Sequence, residues 1–271
     1  MAALLFFVQA PVATMRESPN LSSKPVSQAL FAEAVKVEDE GRDWVLICTP
    51  DNYLGWTLRE NLVGRESVYA TSLKVSRLAA HVYRGPDTEY GPLMTLTFGA
   101  CLQEIDRDER WVKVDLPSGQ EAFIQSGDVV PLEPLQGKKD LVAFSQRFLG
   151  LPYTWGGRSS LGYDCSGFVQ MLYQQIGIAL KRDSKDQVQD ERLITIALED
   201  LEPGDLVFFG KKPGSTQHVG LYIGDGSFIH ATAREKQPWI RISRFTDLEW
   251  SGDRDATYPY RQAKQLRKVI Q

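Results

Sequence analysis

The sequence predicts an α+β chain: two small all-β units, then a domain in which a cysteine-bearing helix packs on an antiparallel sheet. Three observations predict it. The first half repeats itself at an offset of 67 residues. After a Pro/Gly-marked stretch at 131–137 the apolar spacing turns helical. The last third alternates apolar and polar residues around two of the chain's three histidines. The implied domains are residues 1–66, 67–135 and 136–271.

The repeat comes first. Phe31-Ala32-Glu33-Ala34 aligns with Phe98-Gly99-Ala100-Cys101, Trp44-Val45 with Trp111-Val112, and Asn61-Leu62-Val63 with Asp128-Val129-Val130. Each copy holds short β-rich runs, such as Trp44 to Cys48 and Trp111 to Val114, followed by the turn residues Pro50-Asp51-Asn52 or Pro117-Ser118-Gly119. Short strands at this spacing suggest tandem small barrels. The copies differ at three informative positions: Glu33, Tyr53 and Trp56 become Ala100, Gln120 and Phe123. The apolar run from Ala2 to Val8 lacks a basic flank and is expected to be a first strand or a tail.

Beyond the linker, Leu141, Phe144, Phe148 and Leu149 recur at helical spacing. A second helix is expected from Cys165, with Phe168, Leu172 and Ile176 on one face, Gly177 as a stop and Asp164 as N-cap. A thiol at the positive end of a helix is expected to have a lowered pKa. Strands then follow. Pro203-Gly204-Asp205-Leu206-Val207-Phe208-Phe209 reads as a turn and a strand, and His218-Val219-Gly220-Leu221-Tyr222-Ile223 places His218, Gly220 and Tyr222 on one face. If Gly224 to Gly226 form a three-residue loop, Ile223 faces Ser227 and His218 faces Thr232. His230 then lies diagonal to His218 on the same face, roughly 7–8 Å away between backbones. A two-residue loop would put the rings on opposite faces unless a bulge restores parity.

These residues form a nucleophile, a base and an orienting group. Cys165 would attack a carbonyl, His218 would take and return the proton, His230 would hold His218, and the Cys165 amide would receive the oxyanion. A zinc site built from the same three residues is the rival constellation, although it lacks short-spaced ligand pairs. His81 is expected on the surface.

Totals narrow the function further. The chain has 271 residues, 42% hydrophobic and 24% charged, with a formal net charge of −4 and no run of Lys or Arg. Nucleic acid and anionic membranes are therefore not expected partners, and no stretch reaches a membrane span. The three scattered cysteines make no disulfide framework. Cys48 and Cys101 are expected as small buried hydrophobes, and a reducing, cytoplasmic location is expected, with an exported one as the alternative.

The first two units resemble bacterial SH3 domains over residues 10–133. Tyr163-Asp164-Cys165-Ser166-Gly167 opening a helix, Pro203 to Phe209 before a strand, and His218 to Gly224 resemble the NlpC-type papain-like cell-wall peptidases over residues 140–262. The resemblance implies a papain-like catalytic domain with nucleophile Cys165, base His218 and third polar residue His230. Two SH3-like units ahead of it resemble the subgroup that cleaves γ-D-glutamyl–diamino-acid bonds in murein peptides with a free N-terminal L-Ala. That implies a monomeric enzyme without cofactor or metal, acting on a murein tripeptide or similar short peptide in peptidoglycan recycling. Its substrate-binding residues would be Asp164, Ser166, Asp183, Ser184, Tyr153, Glu33 and Tyr53, the first β unit walling one end of the cleft. An exported endopeptidase on intact peptidoglycan, a non-catalytic wall-binding protein and a thiol acyltransferase are the competing readings.

Overall fold

The structure is a computed structural model that describes residues 4–253 and 256–266. The chain forms two compact units: one comprises the residues up to Glu133 together with Arg158–Leu161, the other Pro134–Gly157 and Gly162 onward.

The N-terminal unit holds two seven-stranded sheets. The first contains β1 (Leu5–Val8), β2 (Val12–Arg16), β3 (Pro25–Leu30), β4 (Ala34–Glu40), β5 (Trp44–Cys48), β6 (Leu54–Leu58) and β7 (Leu62–Arg65). The second contains β8 (Leu73–Val75), β9 (Ala79–Tyr83), β10 (Met94–Thr97), β11 (Cys101–Arg107), β12 (Trp111–Asp115), β13 (Glu121–Gln125) and β14 (Val129–Pro131). Their strand orders are the same, β3-β2-β6-β5-β4-β1-β7 and β10-β9-β13-β12-β11-β8-β14. The bulge between Val37 and Asp39 recurs between Glu104 and Asp106, at the offset of 67 that the sequence shows. The apolar run that begins at Ala2 becomes β1 from Leu5; Ala2 and Ala3 lie outside the described residues.

Alternation buries one side of each strand. Val8, Ala13, Met15, Ala29, Val45 and Ile47 fill the first core, with Tyr53 packed half-buried against it. The second core takes Phe7, Phe31 and Ala32 from the first repeat along with its own Leu96, Leu102, Val112, Val114 and Ile124. Cys48 and Cys101 are only partly buried, because each stands where its strand meets a turn rather than in mid-core. His81 is exposed, its Nδ1 2.9 Å from Thr95 Oγ1.

The segment Arg158–Leu161 departs from the expected domain limits: it lies within the third stretch of sequence but packs with the N-terminal unit. The Arg158 guanidinium bonds both Glu33 carboxylate oxygens at 2.8 and 3.2 Å and the Gln28 carbonyl at 2.9 Å. Ser160 donates to the Leu78 carbonyl and accepts from the Phe98 N–H, tying the segment to the second repeat as well.

The C-terminal unit begins with α1 (Lys138–Ser145), passes the two-residue strands β15 (Arg158–Ser159, in the segment above) and β16 (Gly162–Tyr163), and enters α2 (Cys165–Gln174) and the one-turn α3 (Ser184–Gln187). Its antiparallel sheet has six strands: β17 (Leu193–Ile196), β18 (Leu206–Gly210), β19 (Thr216–Gly224), β20 (Ser227–Thr232), β21 (Trp239–Arg244) and β22 (Tyr260–Leu266). The order is β17-β22-β18-β19-β20-β21, so the final strand returns between the first two. Helix α2 packs on β19 and β20, the strands that carry the two histidines. Among the described residues no helix is long and apolar enough to cross a membrane.

Candidate active site

The start of α2 is held by one carboxylate. Asp164 Oδ1 accepts from the Gly167 N–H at 2.7 Å, and Oδ2 accepts from the Gly156 N–H at 3.0 Å. Arg182, whose side chain is 1% exposed, grips the same carboxylate with two donors at 2.9 and 2.6 Å. Its Nη1 also donates to Ser166 Oγ at 3.0 Å, and Ser166 donates to Asp164 Oδ1 at 3.3 Å. Gly167 is required here, because a Cβ would fall 2.2 Å from the Gly157 carbonyl oxygen. Asp164 and Ser166, both expected as acceptors for a substrate amine, line the cavity described below. Their side chains also serve the helix start and Arg182.

The two histidines share a face, as expected, through a parity-restoring bulge rather than a three-residue loop. The turn is two residues, Asp225-Gly226, both at positive φ (50° and 65°), and it pairs Gly224 with Ser227. A bulge between Tyr222 and Gly224 then restores the parity, giving Leu221↔Ile229 and Tyr222↔Phe228. His218 Nε2 comes to 2.6 Å from His230 Nδ1, and His230 Nε2 to 3.0 Å from Ser243 Oγ on β21. Gly220 follows His218 by two residues on β19, where a Cβ would meet the Phe228 ring at 2.7 Å and His230 Cβ at 3.3 Å. Trp250, fully buried, sits 4.8 Å from each imidazole centroid. Tyr258 stacks on His218 at 17° and 6.1 Å.

Burial governs the charges. It pushes the Cys165 thiol up to about 12, with the Asp164 carboxylate adding to the rise; N–H groups of Val219 and Ser166 and the charge of Arg182 oppose it. His218 is pushed down to about 3, first by burial and then by Arg234 and Arg241, and His230 falls well below the ordinary imidazole value for the same leading reason. The lowered thiol pKa expected from the helix end is therefore overturned. A helix terminus contributes about 0.3–1 kcal/mol, or ~2 at best, whereas desolvation moves a pKa by up to about 3–5 units, and it outweighs the helix end even though Cys165 as a residue is only partly buried. Both shifts favour a neutral thiol and a neutral imidazole in the resting pair.

One cavity of about 750 Å³ brings Cys165 and His218 together with Tyr153, Asp183 and Ser184. His230 stands behind His218. Asp183 is the residue before α3 but makes no side-chain cap to it; its carboxyl is raised by burial, which outweighs Arg182 and Lys185. Glu33 and Tyr53 belong to the N-terminal unit, where Glu33 is paired with Arg158 and accepts from the Leu30 N–H at 3.0 Å. Trp155, Arg234 and Tyr258 also line the cavity. They stand in irregular segments or a short turn, and no spacing in the sequence marks them. As for the zinc constellation, His218 and His230 spend their facing nitrogens on each other, and among the described residues no group of three or more His, Cys, Asp or Glu side chains is placed to hold a metal.

The NlpC/P60 family model matches residues 150–251, and the bacterial SH3 domain model matches residues 11–63. A γ-D-glutamyl-L-lysine dipeptidyl-peptidase of Bacillus subtilis is 32% identical over 233 residues, covering 82% of this chain and 76% of that protein. The chain belongs to the NlpC/P60 family. A protein of the same name from Bacillus cereus is 33% identical over 234 residues, covering 79% of this chain and 69% of its own length. The crystal structure of an NlpC/P60 family protein from Bacillus cereus superposes with a TM-score of 0.82 at 25% identity, covering 97% of this chain and 99% of that one. The SH3-like β-rich region and the papain-like α+β domain that the sequence implied are both present in this NlpC/P60 chain.

Proposed function

We propose that this NlpC/P60 protein is a cysteine peptidase that cuts the γ-D-Glu–diamino-acid bond of short murein peptides with a free N-terminal L-Ala. The observation that carries the reading is a thiol on the first residue of α2 and an imidazole sharing one cavity, the imidazole backed by a second one 2.6 Å away. The names of its Bacillus relatives, γ-D-glutamyl-L-lysine dipeptidyl-peptidases, point to the same bond.

The neutral pair dictates how the reaction runs. His218 takes the Cys165 proton as the sulfur attacks the γ-carbonyl, and the oxyanion meets the Cys165 amide. His218 then gives that proton to the leaving α-amine, the C–N bond breaks, and a thioester remains. Water, deprotonated by His218, attacks the thioester and frees L-Ala-D-Glu, while the thiol recovers its proton. In this reading the alanine ammonium meets Asp183, which lines the cavity. That carboxyl is half-buried and raised by burial, so an incoming cation stabilises its charged form. Three free cysteines, none in a disulfide, suit a cytoplasmic enzyme that recycles released peptides.

The test is mass spectrometry on L-Ala-γ-D-Glu-diaminopimelate, free and N-acetylated, beside intact sacculi. The free peptide is expected to give L-Ala-D-Glu and diaminopimelate, and the acetylated one to survive. Equal cleavage of sacculi and free peptide, or of the acetylated and free forms, contradicts the proposal.

A further inference from the structure

The charged groups around the cavity are not evenly partnered. Asp164 is neutralised by Arg182. Asp183 and Lys185 lie 3.9 Å apart on the α3 flank. Arg234 also lines the cavity, from the turn after β20, where its backbone N–H donates to Thr232 Oγ1 at 3.1 Å. Among the described residues Arg234 makes no ion pair. Its Nη2 instead donates to the Tyr258 hydroxyl at 3.1 Å, and its guanidinium carbon stands 5.4 Å from the centre of the Tyr258 ring. A neutral phenol thus holds a cation at the cavity without cancelling its charge. A planar guanidinium so placed is a receptor for a carboxylate.

Which carboxylate follows from the proton path. Tyr258 stacks on His218, so the guanidinium that Tyr258 holds lines the cavity beside the imidazole that must protonate the leaving nitrogen. In a γ-D-Glu–diamino-acid bond that nitrogen is the α-amine of the diamino acid, and only one carbon separates it from the α-carboxyl. Resting on the function proposed above, we infer that Arg234 receives the free α-carboxylate of the leaving diamino acid, so that the enzyme selects peptides ending at that residue. In a longer or amidated peptide the same position is an uncharged amide, and the guanidinium loses its counterion.

Binding also feeds the chemistry. The charge of Arg234 disfavours the His218 imidazolium, and a bound carboxylate cancels that repulsion. Proton uptake by His218 is then easiest with the correct leaving group in place.

Steady-state cleavage of L-Ala-γ-D-Glu-L-Lys and of its C-terminal amide, by wild type and by Arg234→Gln, tests this. The wild type is expected to favour the free acid in kcat/KM by about tenfold or more. Arg234→Gln lowers the acid to the level of the amide, and Arg234→Lys keeps part of the preference. A thermal unfolding midpoint close to that of wild type reports that each variant is folded. Equal rates on both peptides in the wild type, or a preference that survives in Arg234→Gln, overturns the carboxylate role alone. If the wild type cuts neither peptide at the γ-D-Glu bond, the proposed function fails instead.

Discussion

His218 Nε2 lies 2.6 Å from His230 Nδ1, and the far nitrogen of His230 lies 3.0 Å from Ser243 Oγ. This chain has one polarity that serves catalysis. If Nδ1 of His218 is to accept the thiol proton, its hydrogen sits on Nε2 and is donated to His230, which in turn donates its Nε2 hydrogen to Ser243. Reversed, the chain would put a hydrogen on the nitrogen that must act as base. Ser243 therefore positions the tautomer through His230.

His230→Ala is expected to lower kcat by about 10²–10⁴ with little change in KM, since it disables the proton carrier and leaves the cavity lining intact. Ser243→Ala should cost about tenfold in kcat, and Ser243→Thr should restore most of it. A rise in KM at constant kcat in either alanine variant would show that the pair binds substrate rather than orienting the base.

The neutral resting pair has a pH signature. Alkylation of Cys165 by iodoacetamide in the free enzyme should stay slow at neutral pH and accelerate only toward the thiol value of about 12. A thiolate–imidazolium ground state would instead give a rapid plateau from mildly acid pH. Stability should respond on both sides. His218 at about 3 in the folded state, against 6.5 unfolded, makes the unfolded chain bind more protons as pH falls from 6.5 to 3, so stability is lost over that range. The thiol works oppositely, and stability is lost as pH rises from about 9 toward 12. Thermal unfolding across pH 3 to 11 measures both limbs.

Arg182 and Asp164 stand or fall together. Arg182→Ala leaves a carboxylate with a side-chain exposure of 12% without its cation, at a cost of about 3–5 kcal/mol. Calorimetry should show the unfolding transition moving to lower temperature. A variant as stable as wild type would mean that water solvates Asp164 in place of the guanidinium.

Gly220→Ala tests how the histidines approach each other. Its new Cβ, 2.7 Å from the Phe228 ring and 3.3 Å from His230 Cβ, must displace one of them. A destabilisation of about 1–3 kcal/mol and a fall in kcat are expected together. Unaltered kinetics would show that the pair tolerates the shift.

Much of this molecule is legible in its sequence, for identifiable reasons. The two β units declare themselves because one barrel written twice repeats even its bulge, at Val37/Asp39 and Glu104/Asp106. Helix α2 declares itself through Asp164 and the apolar spacing after Cys165. Parity of the β19–β20 hairpin follows from chemistry, since the histidines must share a face, but the bulge that achieves it has no residue signature beyond a glycine-rich turn. Trp250, Tyr258 and Ser243 were not legible. They reach the histidines from irregular chain or from a neighbouring strand, and only the fold makes them neighbours. The thiol's ionisation is not legible, because a helix end is visible in sequence and the depth of burial is not.

The most direct test compares Cys165→Ser with a Cys48→Ser/Cys101→Ser double variant on L-Ala-γ-D-Glu-L-Lys, following release of lysine. Cys165→Ser is expected to lose at least about 10³-fold in kcat, while the double variant, altered only in the N-terminal unit, cleaves at the wild-type rate. Lysine release that persists in Cys165→Ser, or that vanishes in the double variant, would contradict Cys165 as the nucleophile.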